Sequence, residues 1–480
     1  MFSTILFIIM VLYFSLLLGV AWYTGRNTTN ESFFIGNRNS NWMLVAFGMI
    51  GTSLSGVTFI SVPGTVLTNH FYYLQIVIGY LLGYMVVAFV LLPLYYRMQL
   101  TSIYYYLEKR FGNYAYKTGA LFFIISRTVG ATARLYLVIN VLQLFVLNSF
   151  HIPFWLTAFI ILLMILLYTF QGGVKTIVFT DTLQTTGMLV GLIVCIWYIL
   201  SSGNGAKANW SSLTDHSYFQ IFNTDIKSKG FFLKQIIGGA FITIAMTGLD
   251  QEMMQKNISV NTLKLSQRNM LSFSWVMALV NGLFLILGAL LYLYAETHSI
   301  TTKGDDLFPT IALQHLPPWV AIIFIIALIS ALFPSADGAL TALTSSFCID
   351  IAGIKQRGWS EKKQVRIRKM IHISFAFVFL LAIAYFKYKD SKSIINIILD
   401  LASYTYGPLL GLFAFGILTK RMIKDNILII LVCLLAPVLS YWLTNNIANW
   451  TNGYQMGIEL LLINGLITFT GLYILSTKTK

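Results

Sequence analysis

The chain alternates long apolar runs with short polar segments over nearly its whole length. A helix needs about 20 apolar residues to cross a bilayer core, where no water is present to pair with backbone groups. The pattern therefore predicts an all-α polytopic membrane protein with about thirteen transmembrane helices. The predicted spans cover 2–21, 42–66, 71–98, 115–149, 153–170, 181–201, 234–250, 269–297, 318–350, 365–387, 392–419, 425–444 and 456–475.

The composition supports a membrane environment. Hydrophobic residues make up 57% of the chain and charged residues only 10%, which is too little charge to cover a soluble protein of this length. No long polar block interrupts the runs, so we expect one transmembrane domain over 1–480, in contact with the lipid bilayer. The first run, 1–22, lacks the basic start of a signal peptide and is predicted to be a retained extra helix, with a cleaved signal peptide as the alternative.

The net charge of +15 reflects the predicted loops, so no nucleic-acid partner is expected. Loops on one side of the predicted membrane hold most of the cations, and by the positive-inside rule this side faces the cytoplasm. We therefore expect a bacterial-type inner membrane protein with the N-terminus outside and the C-terminus in the cytoplasm. The basic side holds Arg26, Arg38, Arg97, Lys109, Arg110, Lys117, Lys175, Lys256, Lys264, Arg268, the 355–369 cluster, Lys420, Arg421, Lys424, Lys478 and Lys480; the other side holds Lys207, Lys227, Lys229, Lys234, Lys303, Lys387, Lys389 and Lys392.

Two runs are interrupted by small and polar residues. In the second run, Gly51 and Gly56 enclose the hydroxyls of Thr52, Ser53 and Ser55. Such a segment can unwind and free backbone carbonyls as ligands, or it can let two helices pack closely; the spread of the hydroxyls over all helix faces favours the broken helix.

The seventh run, over 238–248, shows a similar Gly/Thr interruption five helices later. Interrupted helices at matching positions indicate a transporter built from inverted repeats. We expect repeats at 42–201 and 234–419, with 425–480 forming peripheral C-terminal helices. Two further glycine pairs, Gly79/Gly83 and Gly407/Gly411, are interpreted as packing seams.

Ionisable residues inside a membrane are costly and therefore indicate function. Arg127 and Arg134 share one face of the fourth predicted helix, and each requires a protein carboxylate or a substrate anion as partner. Asp337 lies in the ninth run beside small residues, as a candidate cation ligand or as half of an ion pair with an arginine. Asp181 follows Thr180 and precedes Gln184, a pattern that also fits a helix N-cap, and Glu459 is interpreted as interfacial.

Four segments along the chain combine glycines with polar residues: Phe33-Phe-Ile-Gly36-Asn-Arg38, Tyr106-Leu-Glu-Lys-Arg110-Phe-Gly112, Gly172-Gly173…Thr180-Asp181-x-x-Gln184 and Gly248-Leu-Asp250-Gln251…Gln255-Lys256. Together, and in this order, they resemble motifs of the sodium:solute symporter family, whose members carry proline, sialic acid, glucose, iodide and vitamins.

The resemblance implies an inverted-repeat, LeuT-like fold whose repeats begin with broken helices, and Na⁺ as coupling ion with no organic cofactor. It places a primary sodium site at the carbonyls of Gly51 and Leu54, the carbonyl of Ala331 and the hydroxyl of Ser335. The chain departs from the family at Pro334, which has no hydroxyl. Proline also lacks the N–H that would bond the carbonyl of Ser330, so it removes one oxygen and frees another.

The resemblance also implies a second sodium site at Asp181 and Asp337, beside Gly338. Because a carboxylate stands where relatives use a hydroxyl, a proton-coupled symporter using Asp337 and Asp181 is an alternative.

The implied substrate-binding residues are Ser55, Thr58, Tyr73 and Gln75. Sugar carriers of the family place aromatic residues where this chain has Met246 and Thr247. Together with Arg134, this favours a small-molecule solute with a carboxylate, such as sialic acid. An enzyme is not expected, since no nucleophile–base pair occurs at helical spacing. An ion channel or a membrane sensor is the alternative from another class, but no filter sequence or appended signalling domain supports it.

Overall fold

A computed structural model of the chain describes residues 2–25, 33–34, 36–201, 217–354, 356–389 and 394–477. Within these ranges the chain is helical, apart from short loops and three isolated β-bridges. Among the described residues, eight helices are long and apolar enough to cross a membrane, three bent helix pairs qualify as broken spans, and two shorter apolar helices accompany them. Each predicted span overlaps one of these. Outside the described residues lie Arg26, Lys207, Lys355, Lys392, Lys478 and Lys480.

In the described part of the first half of the chain we label nine α-helices, α1 to α9. They are α1 (Phe2–Thr24), α2 (Trp42–Leu54), α3 (Gly56–Gly64), α4 (Val66–Asn69), α5 (Tyr73–Arg97), α6 (Tyr105–Phe111), α7 (Asn113–Phe145), α8 (Phe154–Phe170) and α9 (Thr176–Ser201).

The second half continues the series. It contains α10 (Phe232–Gly248), α11 (Gln251–Ile258), α12 (Leu263–Thr297), α13 (Leu307–Thr310), α14 (Pro318–Ile351), α15 (Glu361–Lys389), α16 (Ile394–Thr405), α17 (Gly407–Leu418), α18 (Leu428–Trp450) and α19 (Leu460–Leu475).

The predicted breaks are present, one in each half. Helices α2 and α3 meet at 52° around Ser55, and α10 and α11 meet at 66° around Leu249 and Asp250. The second break thus follows the Gly/Thr segment rather than interrupting it, and the last turn of α10 widens to π-helix over Ile244–Gly248. A third bend of 43° separates α16 from α17 and was not predicted.

Both glycine pairs form packing seams, as predicted. A Cβ on Gly79 would lie 2.1 Å from the carbonyl oxygen of Ile236, and one on Gly83 2.5 Å from that of Ala240. These glycines therefore allow α5 and α10 to touch through their backbones. Gly411 does the same for α17 and α19, where a Cβ would lie 2.5 Å from Thr468.

The basic loops meet at one end of the bundle. Arg38 donates to Gln99 and to the carbonyl of Leu100, while Arg110 donates to the carbonyls of Thr419 and Arg421. This arrangement agrees with the predicted grouping of these arginines on one side.

Three of the segments that resemble the family hold a glycine with positive φ, at Gly36, Gly112 and Gly173. Gly173 (φ +52°) separates α8 from α9, and a Cβ there would lie 2.6 Å from the Cα of Phe33. The absence of a side chain at Gly173 therefore lets the backbone at Phe33 pack against the turn between α8 and α9. Gly112 (φ +96°) precedes α7, whose first N–H groups, of Asn113 and Tyr114, donate to the carboxylate of Asp425 at 2.9 and 2.8 Å.

One prediction about charge was wrong. Lys256 was expected in a solvent-facing loop, but it belongs to α11 and only 3% of it is exposed. The stretch 250–257 is polar enough to read as a loop, yet it forms a helix inside the bundle because its polar groups bond to other helices.

Candidate functional site

The break between α2 and α3 opens onto a cavity at the centre of the bundle. Ser55 separates the two helices, so the carbonyls in the last turn of α2, from Gly51 to Leu54, lie beyond the last intrahelical donors. The predicted substrate residues Ser55, Thr58 and Tyr73 line this cavity together with Arg134.

The cavity wall combines hydroxyls, thioethers and guanidinium groups. Met246 and Thr247, at the position where sugar carriers have aromatic residues, both line it. Among the described residues that line the cavity, two are cations and none is a carboxylate. Its full lining is Thr52, Ser53, Ser55, Val57, Thr58, Tyr73, Tyr80, Tyr84, Arg127, Arg134, Ile242, Thr243, Met246, Thr247, Met253, Met277, Asn281, Ile398 and Leu399.

The two arginines of α7 have different partners. Arg127 is paired with Glu252, and its Nη1 lies 4.0 Å from Asp250. Arg134 has no described carboxylate within 4.0 Å, although it faces the same cavity. Each arginine was expected to meet either a protein carboxylate or a substrate anion. Arg127 has a protein carboxylate as its partner, while Arg134 is available to an anion in the cavity.

Gln75 does not line the cavity. Its side chain is buried and donates to the carbonyl of Tyr72 at 3.0 Å, so it completes the first turn of α5. A substrate contact by Gln75 would require this hydrogen bond to break.

The residues predicted for the primary sodium site come from two helices that touch. A Cβ on Gly51 would lie 3.4 Å from Cγ of Pro334, which shows how closely α2 approaches α14 here. Leu54, Ala331 and Ser335 are buried, and the Ser335 hydroxyl donates to the carbonyl of Leu332 at 3.1 Å. The predicted ligands at Gly51 and Leu54 are carbonyl oxygens, the ligand type that a hard cation prefers.

Asp181 lies within α9, five residues after its start, so the N-cap interpretation is wrong. The carboxylate is buried and accepts from Lys256 Nζ at 2.6 Å and from the Thr52 hydroxyl at 3.2 Å. Lys256 also donates to Thr52 at 2.5 Å. A lysine from α11 thus occupies the side of Asp181 that faces the broken helix.

Asp337 is buried on α14 and accepts from the Tyr168 hydroxyl at 2.6 Å. No described lysine, arginine or histidine lies within 4.0 Å of it, so the ion pair with an arginine is not formed. Glu459 precedes α19, accepts from Tyr454 and lies 4.0 Å from Lys234, as expected for a residue near the end of a span.

Several residues at the second break were not predicted to matter. The carbonyls of Gly248 and Leu249 accept from the hydroxyls of Tyr95 and Tyr104 at 2.7 and 2.9 Å. Asp250 caps α11 by accepting from the N–H groups of Glu252 and Met253. The Asp250–Gln251 pair carried a signal for this role, since aspartate is a favoured N-cap, but its partners lie far away in the sequence.

Comparison with known proteins identifies the family. The family model described as "Sodium:solute symporter family" matches residues 33–429. The chain belongs to the sodium:solute symporter family.

The relatives of this symporter include two bacterial sialic acid carriers. It is 23% identical to the sodium/sialic acid symporter NanT of Aliivibrio fischeri, with 91% of this chain and 88% of the relative aligned. It is 24% identical to the sodium/sialic acid symporter SiaT of Proteus mirabilis, with 85% and 82% aligned.

A solved structure shares the fold. The substrate-bound outward-open state of a Na⁺-coupled sialic acid symporter superposes with a TM-score of 0.84 at 19% identity, covering 100% of both chains. The predicted fold class, with its broken helices, is confirmed.

Proposed function

We propose that this symporter imports a small organic anion together with Na⁺ by alternating access. The anion would bind beside Ser55, Thr58 and Tyr73, with its carboxylate on Arg134. Sialic acid, the substrate in the names of two relatives, belongs to this class. The observation that carries the proposal is a guanidinium with no described carboxylate within 4.0 Å, in a cavity whose described lining holds no acid.

The charge of the cavity supports an anion over a zwitterion. An ammonium group would find no carboxylate among the described lining residues and would face Arg127 and Arg134. A planar guanidinium can instead hold a carboxylate through two parallel hydrogen bonds.

Sodium would bind next to this anion. We place it at the carbonyls of Gly51, Leu54 and Ala331 and at the hydroxyl of Ser335, where α2 meets α14. Because the last turn of α2 also leads into Ser55, the ion and the solute would stabilise the same break. Each would then tighten binding of the other by about 1–3 kcal/mol.

We further place the symporter in a bacterial-type inner membrane, with the N-terminus outside and the C-terminus in the cytoplasm. The clustering of Arg38, Arg110 and Arg421 at one end supports this orientation. Accessibility of single cysteines introduced at 227 and at 420 to an impermeant reagent would test it. Labelling of position 227 alone in intact cells is expected, and labelling of position 420 alone would reverse the topology.

Proton coupling is the second candidate, because Asp337 bonds to Tyr168 and has no described cation within 4.0 Å. A proton would neutralise this carboxylate as a second sodium would. If the proton is the coupling ion, a pH gradient drives uptake equally well in potassium and in sodium.

The experiment for the main proposal is thermal stabilisation of the purified protein, in sodium against potassium, with organic anions and their neutral methyl esters. We expect sodium to stabilise the wild type and an acid to stabilise it further, while the matching ester has no effect. Arg134→Gln should abolish stabilisation by the acid but keep stabilisation by sodium. Arg134→Lys should retain part of the stabilisation by the acid. Stabilisation of Arg134→Gln by the acid at wild-type concentrations would contradict the proposed anion site.

A further inference from the structure

Glu252 lies between two cations that belong to different parts of the site. Its Oε2 accepts from Arg127 of α7, while its Oε1 lies 3.9 Å from Lys256 Nζ, one turn further along α11. Among the described residues, Oε1 has no hydrogen-bond partner although it is buried. One carboxylate thus spans the distance between Arg127 and Lys256.

The two cations reach the proposed solute and sodium sites. Arg127 lines the cavity beside Arg134. Lys256 bonds to Thr52 and Asp181, and Thr52 lies in the last turn of α2, between Gly51 and Leu54. The ion pairs therefore form a continuous chain from the solute cavity to the segment proposed to bind sodium.

The packing around Glu252 leaves its carboxylate close to backbone. A Cβ on Gly338 would lie 2.2 Å from Glu252 Oε1, so the carboxylate rests directly on α14. Arg127 also has a second acid nearby, Asp250 at 4.0 Å, and can keep a partner when its contact with Glu252 weakens.

We propose that Glu252 is a positioning residue that couples solute binding to sodium binding. A solute anion held by Arg134 also attracts Arg127, which lines the same cavity, and so competes with Glu252 for Arg127. The carboxylate of Glu252 then interacts more strongly with Lys256 and draws it from Asp181 and Thr52. The negative charge near the last turn of α2 is less compensated as a result, and sodium binds there more tightly. By linkage, sodium increases the affinity for the anion by the same factor.

This inference rests on the proposed function, and the test separates the two. Sodium affinity is measured by titration of the purified protein, followed by tryptophan fluorescence or thermal stabilisation, with and without a saturating organic anion. The quantity of interest is the ratio of the two sodium affinities. It is measured in the wild type, in Glu252→Gln, and in Glu459→Gln as a matched control whose carboxylate lies outside this cluster.

We expect the ratio to fall about fivefold or more in Glu252→Gln and to stay at the wild-type value in Glu459→Gln. A loss of packing or of net charge alone would shift both sodium affinities and leave their ratio intact, so an unchanged ratio overturns the inference. Since Glu252→Gln leaves Arg127 without its closest partner, the double variant Arg127→Gln/Glu252→Gln removes the pair together. It should also lose the coupling, and a wild-type ratio in that variant contradicts the inference equally.

If sodium does not affect the wild type, the proposed function itself is contradicted. A wild type with a solute-dependent sodium affinity, combined with an unaltered ratio in both variants, would remove only the role of Glu252.

Discussion

The two broken helices differ in how their freed backbone groups are satisfied. At the first break, between α2 and α3, the residues from Gly51 to Gly56 are uncharged and mostly small, and the cavity lies directly beside Ser55. At the second, between α10 and α11, tyrosine hydroxyls bond the carbonyls of Gly248 and Leu249, and Asp250 caps the helix that follows. Among the described residues, no donor outside α2 bonds the carbonyls of Gly51 to Leu54, so we expect the first break rather than the second to offer carbonyls to a ligand.

The difference assigns different tasks to the two halves of the molecule. Unpaired carbonyls in a membrane are costly, so a break that lacks protein partners is stable only where an ion, water or solute can supply them. A break sealed by side chains holds a fixed angle instead and can carry charged residues such as Glu252 and Lys256 into the bundle. We therefore expect substitutions at the first break to change ligand affinity and substitutions at the second to change stability.

The largest effect is expected from Asp250→Ala at the second break. The change removes the cap of α11, the acceptor of the Tyr406 hydroxyl at 2.9 Å and an acid near Arg127. A loss of about 3 kcal/mol in the free energy of unfolding follows from breaking a buried charged network of this kind. It is measured by SDS-induced unfolding in mixed micelles. Asp250→Asn, which keeps an acceptor for the cap, should lose less, and equal losses would mean that the cap contributes nothing.

At the first break, Gly51→Ala should weaken sodium binding. The added methyl would lie 2.4 Å from the Thr185 hydroxyl and 3.4 Å from Pro334, so α2 must move away from α9 and α14. Overpacking of this kind costs about 1–3 kcal/mol, which corresponds to a loss of roughly fivefold to 150-fold in sodium affinity. Sodium titration of the purified protein measures it.

Gly282→Ala is the matched control, because a Cβ at Gly282 of α12 would meet no described atom within 4 Å beyond its chain neighbours and the backbone of its own helix. If both variants bind sodium like the wild type, the first break does not hold the ion and the comparison between the breaks fails.

The sequence predicted the spans and the first break because their signals are local. Runs of apolar residues mark the spans, and Gly51 and Gly56 mark the break within six residues. The ion pairs of Glu252 and Lys256 were not predicted, because their signals are not local. Both residues belong to a polar stretch whose partners, Arg127 and Asp181, lie on α7 and α9. No local pattern distinguishes such a stretch from a loop, since its burial is compensated only by contacts with residues distant in the sequence. Asp181 looked like an N-cap because Thr and Asp favour that position, although α9 begins earlier, at Thr176.

A smaller effect is expected from Pro334→Ser, which gives the first break a ligand that the chain lacks. The new hydroxyl stands beside Ser335, and one added oxygen ligand worth about 1 kcal/mol would tighten sodium binding roughly fivefold. Pro334→Ala provides the contrast, because it restores the backbone N–H for the carbonyl of Ser330 without adding a hydroxyl. Tighter binding in both variants would assign the effect to the helix backbone, and weaker binding in both would show that the proline-freed carbonyl of Ser330 is itself a ligand.

The smallest effect, on stability alone, is expected from Tyr104→Phe at the second break. Its hydroxyl is buried and donates to the carbonyl of Leu249 at 2.9 Å, so its removal leaves that oxygen without this donor at a cost of about 1 kcal/mol. Tyr95→Phe removes the equivalent bond to Gly248 and should cost a similar amount, measured as a lower thermal denaturation midpoint in detergent. Sodium affinity should remain at the wild-type value in both, because these carbonyls are already satisfied by protein. A loss of sodium affinity in Tyr104→Phe that exceeds its loss of stability would mean that the second break also shapes the ion site, and the division of tasks between the two halves would no longer hold.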